Sequence, residues 1–299
     1  LTFGAAATYT SNFQVSVLNE DTTRAKWIIL PGADIPAFYL WPGQTATIFN
    51  QVNFWHTFKT KRWDHPGGFL DFYTNFASGT DVEGATDGLT SAAPFQTVEY
   101  ALTVMQDQVD FRSTAANNTR VRINMAAAQN DATGIHFAAH DLSGGQGGAA
   151  VLIVGATLAV TGCVNNGAGA IRITVPSTAT YTTGQSVVIY GVAGTVEVNN
   201  AWKITVIDST HMDLVNSTFS NAFVSAGVIT NGSGFNCNTQ DCVQTYFSTV
   251  IQLQNIQFVN TGIYGCINAD WGSKIYILDG CQFNVAGSAH IYSHNNSYI

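Results

Sequence analysis

The chain has 299 residues, 46% of them hydrophobic and only 10% charged, against roughly 25% charged in an average soluble domain. That apolar share supports a continuous core, and the many aromatic and β-branched residues exclude a disordered chain. A formal charge of −8 argues against nucleic acid and anionic membrane as partners.

Eight of the eleven Lys and Arg lie at or before Arg122, leaving Arg172, Lys203 and Lys274 for the rest. Little is left there to grip phosphate or sulfate, whereas neutral sugars, read by aromatic and amide side chains, stay compatible with the composition. No apolar run approaches a membrane span, so no membrane insertion is expected. The opening Leu1-Thr2-Phe3-Gly4 has neither Met nor a signal-peptide pattern, which suggests a fragment or a processed product.

Residues 1–58 read as a small all-β module. Alternation is clear in Phe13-Gln14-Val15-Ser16-Val17-Leu18, in Lys26-Trp27-Ile28-Ile29-Leu30 and in Thr45-Ala46-Thr47-Ile48-Phe49, with Pro31-Gly32 and Trp41-Pro42-Gly43 as turns. Residues 59–68 cluster charge and end in Pro66-Gly67-Gly68, as a linker does. Residues 69–164 open with the strand Phe69-Leu70-Asp71-Phe72-Tyr73. The one strongly periodic helix follows over 94–110, with Pro94 at its first turn and Phe95, Val98, Ala101, Leu102, Met105 and Val109 at helical spacing. Strands are then expected at Arg120–Asn124 and Ala149–Val154.

Residues 165–235 alternate as a separate β-barrel or sandwich module, through Ile171–Val175, Ser186–Tyr190, Trp202–Ile207 and His211–Val215. In residues 236–299 the run Leu253-Gln254-Asn255-Ile256-Gln257-Phe258 is echoed 25 residues later by Leu278-Asp279-Gly280-Cys281-Gln282-Phe283. Short strands and turns repeating at 20–30 residues are what a β-solenoid needs. Omitting the module aligns Ile153-x-Gly155-Ala156-x-Leu158 with Leu253-x-Asn255-Ile256-x-Phe258, one coil restarting where another stopped.

Asp87-Gly88-Leu89-Thr90 followed by Pro94-Phe95-x-Thr97-Val98-x-x-Ala101-Leu102 resembles the opening of pectate-lyase-like β-helices in bacteriophage tailspikes and tail fibres, with Val98 in an isoleucine place. Two other stretches resemble small β modules of phage tail proteins. One runs from Leu40-Trp41-Pro42-Gly43 to Phe54-Trp55; the other spans Gly191-Val192-x-Gly194-Thr195 to His211-x-Asp213-Leu214. The resemblance implies an all-β fold: a right-handed parallel β-helix with an N-terminal capping helix, a small N-terminal module and an inserted module. It also implies an extracellular, virion-borne tail appendage that attaches to host polysaccharide or a receptor. Residues 1–58 would engage other tail proteins, and threefold homo-oligomers are expected. The final run to Ile299 is still in repeat register, so a cap is expected from further residues or from other subunits. Two alternatives stand beside it. One is a polysaccharide-degrading tailspike, a lyase or glycoside hydrolase with its site outside this segment or between subunits. The other is a bacterial surface adhesin.

No catalytic residues are assigned, and no cofactor or metal is expected. Between Gly232 and Ile299 the only acids are Asp241, Asp270 and Asp279 and the only base is Lys274, thin material for a carboxylate pair. His136, His140 and Asp141 read better as solvated loop residues than as metal ligands. Five cysteines without a CxxC pair make zinc improbable; Cys237 and Cys242 are left open between free thiols and a loop disulfide. Cys266 and Cys281 read as small interior hydrophobes. The candidate glycan-binding residues are Tyr292, His290, His294 and Tyr298, because even spacing on a strand puts His290, Tyr292 and His294 on one face.

Overall fold

The computed structural model describes residues 14–18, 26–28, 38–40, 45–51, 54–59, 69–82, 85–109, 120–138, 151–246, 250–286 and 288–299. Strands dominate them, as an all-β class requires. The N-terminal module contains β1 (Gln14–Leu18), β2 (Lys26–Ile28), β3 (Phe38–Leu40), β4 (Thr45–Gln51) and β5 (Phe54–Lys59). β4 lies between β1 and β5 in an antiparallel sheet, and β2 pairs with β3. Ala46 and Ile48, two apart on β4, are both fully buried, as period-two alternation demands.

After β6 (Phe69–Thr74) comes α1, over Val98–Gln108 and not 94–110. The start is late because Phe95 is already engaged as a β-bridge beside Thr74, donating its N–H to Tyr73 O and accepting from Asn75. Thr97 is the N-cap and accepts from the Tyr100 N–H at 3.2 Å, a bond worth about 1 kcal/mol. Asp81 accepts the N–H groups of Gln96 and Thr97, and Asp131 that of Val98 at 3.0 Å. Backbone donors at the helix start that have no intrahelical partner are thus met by carboxylates. Gly88 has φ +66°, and the Phe95 ring occupies the place a Cβ would take. That is the physical content of the Asp87-Gly88 … Pro94-Phe95 pattern.

The chain continues through β7 (Arg120–Met125), β8 (Asn130–Asp131), β9 (Ile135–Ala138) and β10 (Val151–Val154). It then leaves for an antiparallel lobe: β11 (Thr157–Val160), β12 (Gly162–Asn165), β13 (Ile171–Thr174), β14 (Ser186–Tyr190), β15 (Ala201–Val206), β16 (His211–Leu214) and β17 (Gly227–Thr230). It returns as β18 (Gly234–Cys237), β19 (Val243–Tyr246), β20 (Val250–Gln254), β21 (Gln257–Asn260), β22 (Ile267–Ala269), β23 (Lys274–Ile277), β24 (Gln282–Val285) and β25 (Ile291–Ser293).

Outside the lobe these strands form three parallel sheets, ordered β23-β20-β10-β7-β6, β24-β21-β18-β8 and β25-β22-β19-β9. The chain visits the first, second and third sheet in rotation. Inward residues stack on their counterparts one circuit away. Val121, Val151, Ile251 and Ile275 make one ladder. Phe235, Phe258 and Phe283 make another, with ring centroids 6.0 and 5.0 Å apart. Residues along α1 pack into the same core.

The repeat length differs from sheet to sheet. Gln257 and Phe258 pair with Gln282 and Phe283, 25 residues on. In the other sheets Leu253 pairs with Ile277, not Leu278, and Ile267 with Ile291, 24 residues on. Cys266 consequently sits beside His290 rather than Ile291. Strand pairing fixes only the inward ladders, so each corner can take a different number of residues.

The lobe has its own core, including Ile171, Ile173, Val187, Ile189, Ile204, Met212, Leu214 and Ile229. β11 pairs with β17 and the next segment, β12, with β13, so the two ends of the seven-stranded sheet are successive pieces of one bent strand. The lobe's sheet runs from Thr157 to Thr230, against the expected 165–235. Ile153 does pair with Leu253, but Phe235, not Leu158, stacks on Phe258. Where the chain leaves and returns, Asn231 donates to Ala156 O at 2.9 Å, and Ser233 Oγ accepts from the Ala156 N–H and donates to Ala126 O. All five cysteines are free thiols. Burial pushes Cys163 and Cys281 up to about 11.

Candidate functional site

The outer face of the third parallel sheet carries the most concentrated set of sugar-competent side chains. On β22, Ile267 and Ala269 are buried, so Asn268 points outward. Parallel register sets Asn268 between Gln244 on β19 and Tyr292 on β25, and sets Gln244 beside His136 on β9. Neighbouring strands lie about 4.8 Å apart, so His136, Gln244, Asn268 and Tyr292 form one continuous row.

Tyr292 is half-buried and its ring stacks on His294, with centroids 5.9 Å apart and planes 19° apart. Ser288 Oγ meets the Tyr292 hydroxyl. Asn268 Nδ2 donates to Asp241 Oδ2 at 3.1 Å, and the other Asp241 oxygen accepts the Gly265 N–H at 2.7 Å. Asn268 Oδ1 and His136 Nε2 are buried without a hydrogen-bond partner among the described residues. His136 Nδ1 lies 3.8 Å from Glu99 Oε2 on α1.

Two of the four expected residues, Tyr292 and His294, are therefore brought together. His290 is not with them. It precedes β25 at a corner, where its ring meets the edge of Phe283 and its Nδ1 lies 3.6 Å from Cys266 Sγ. Tyr298 belongs to another sheet. It donates its N–H to Ser273 O and accepts from Ile275, which adds it beside β23, and Lys274 Nζ lies over its exposed ring at 5.9 Å. Gln244 and Asn268 escaped the sequence reading because an outward amide on a strand looks like any polar surface residue. The 24-residue spacing of Gln244, Asn268 and Tyr292 was the available signal.

Chemically the row offers amide donors and acceptors, a hydroxyl and a stacked aromatic pair. Such groups bind a neutral hydroxylated ligand by hydrogen bonds and ring contact. Asp270 is held by the Trp271 N–H and by Asn295 Nδ2 at 2.6 Å; Asp279 lies on another part of the circuit, ahead of β24. Of the metal candidates, His140 and Asp141 lie outside the described residues, and no group of three or more metal-competent side chains occurs among the described ones. No helix among them is long and apolar enough to cross a membrane. No family model, no curated protein and no solved structure matches the chain.

Proposed function

We propose that this chain is a shaft segment of a phage tail fibre or tailspike-type appendage, wound as a right-handed parallel β-helix and engaging neutral host glycans along its flank. The observation that carries the reading is the rotation of the chain through three parallel sheets at a 23–25-residue spacing, with the amide and aromatic row on one outer face. The resemblance around Asp87-Gly88 and Pro94-Phe95 supports it. So does α1, whose side chains pack into the core at the start of the circuits. In this reading residues 1–58 attach to other tail proteins, and the shaft assembles as a homotrimer in the extracellular virion.

Antibodies raised against residues 151–299 test the proposal on purified particles by electron microscopy. Labelling of tail appendages is the expected result. Labelling of uninfected bacterial surfaces instead would assign the chain to a cellular adhesin. Release of reducing or unsaturated sugar ends by the purified chain would move it to the polysaccharide-degrading class.

A further inference from the structure

A cleft of about 400 Å³ opens on the outer face of the first parallel sheet, where the lobe departs. Its volume lies within the roughly 300–1,000 Å³ of small-molecule sites. It is separate from the Tyr292 row, which lies on the third sheet. β6 contributes Tyr73, β10 contributes Leu152 and Val154, β20 contributes Gln254, and Thr157 at the root of the lobe closes one side.

The side chains of Tyr73, Gln254 and Thr157 make no hydrogen bond among the described residues, so their donors and acceptors are available. Arg122 is the one charged residue of the lining, and it is already committed. Its Nε and Nη2 donate to the two oxygens of Asp71 at 2.6 and 2.9 Å, and its guanidinium lies 5.3 Å from the Phe69 ring centroid. A bidentate pair of this kind leaves little positive field for an anionic ligand. The chain's charge of −8 opposes one further.

From the apolar strip of Leu152 and Val154 beside unpaired amide and hydroxyl groups, we infer that this cleft binds one or two units of a neutral saccharide. A pyranose presents an apolar C–H face and a rim of hydroxyls, which matches that division. The inference deepens the glycan-engagement reading and takes from it only the class of ligand.

The test uses the intact chain and a panel of neutral trisaccharides built from hexose, 6-deoxyhexose and N-acetylhexosamine, with a uronate-bearing trisaccharide for comparison. Binding is read by saturation-transfer NMR and titration calorimetry. At least one neutral trisaccharide is expected to bind in preference to the uronate. Tyr73→Ala and Gln254→Ala should each weaken it about tenfold. Tyr73→Phe, which keeps the ring packed, should weaken it about threefold with the circular dichroism unchanged, and the exposed lobe substitution Val224→Ser should leave it unaltered. The inference is overturned if no neutral trisaccharide binds, if the uronate is preferred, or if binding survives all three cleft variants. The last outcome leaves the attachment reading standing, and saccharide binding without virion labelling would remove that reading and keep the cleft.

Discussion

Val243 pairs with Ile267 and Phe258 with Phe283 in the parallel sheets, whereas in the lobe Cys163 pairs with Ile173 and Ile204 with Leu214 across short turns. Parallel partners need a whole circuit between them, so loop-closure entropy is spent before any ladder contact forms. The lobe meets its partners early and encloses a core drawn from its own strands. Each parallel circuit must borrow its interior from the circuits on either side. The comparison teaches that a substitution in the circuits should travel along a ladder, while one in the lobe should stop at its boundary.

The largest expected effect is that of Phe258→Ala, at the middle of the Phe235–Phe258–Phe283 stack. Truncating a fully buried Phe costs about 3–5 kcal/mol. Urea unfolding should shift by that amount, while hydrogen exchange of lobe amides such as those of Ile173 and Ile204 stays slow. Simultaneous loss of lobe protection would break the comparison.

Asp131 comes next. It is 2% exposed, accepts the Val98 N–H and binds Thr133, so Asp131→Ala should cost about 1–3 kcal/mol and show as fraying of α1. Tyr190→Phe is smaller. The Tyr190 hydroxyl donates to Asn255 Oδ1 at 2.7 Å and docks the lobe on the circuits. Its removal should cost about 0.5–1.5 kcal/mol, read as faster proteolysis where the lobe joins the circuits, with both cores intact.

Acid separates the two regions by sign. The Thr210 N–H and the His211 side chain hold Asp208 down at about 2, and Arg172 lowers Asp213, both in the lobe. A carboxyl whose folded value lies below its unfolded value of about 3.9 stabilises above that value and loses its contribution as pH falls toward the folded one. Asp131 is raised by burial. Its folded form therefore holds the proton more tightly, and its contribution declines as pH rises through the window above about 3.9. Between pH 4 and pH 2 these two lobe carboxyls should weaken the lobe, and replacing both Asp208 and Asp213 by Asn should flatten that loss in exchange-monitored titration.

Least disturbance is expected from the largest excision. Asn231 and Ala156 are hydrogen-bonded, so a short Gly-Ser bridge replacing residues 157–230 should leave the circuits folded. Their unfolding midpoint should move no further than in Tyr190→Phe. An insoluble product would show that the lobe is part of the circuits' core.

Local chemistry made much of this legible. Alternation marked the strand at Phe69, the strand at Arg120 and most of the lobe strands, because a half-buried strand must alternate. Helical spacing located α1, although its start depended on Phe95 being held at the end of β6, a tertiary contact. Even spacing of Tyr292 and His294 was enough to pair them.

By itself the sequence determined the all-β class, the interrupted repeat and the neutral, amide-rich surface, since each follows from residue type and short-range periodicity. Only the tertiary structure decided the register that moves the pairing from 25 residues to 24 in two sheets, and with it the separation of His290 and Tyr298 from Tyr292. It alone placed Gln244 and Asn268 in the Tyr292 row and opened the cleft beside Tyr73. Register is set by which inward side chains stack across circuits. That long-range choice is made by packing, and no local run of residues encodes it.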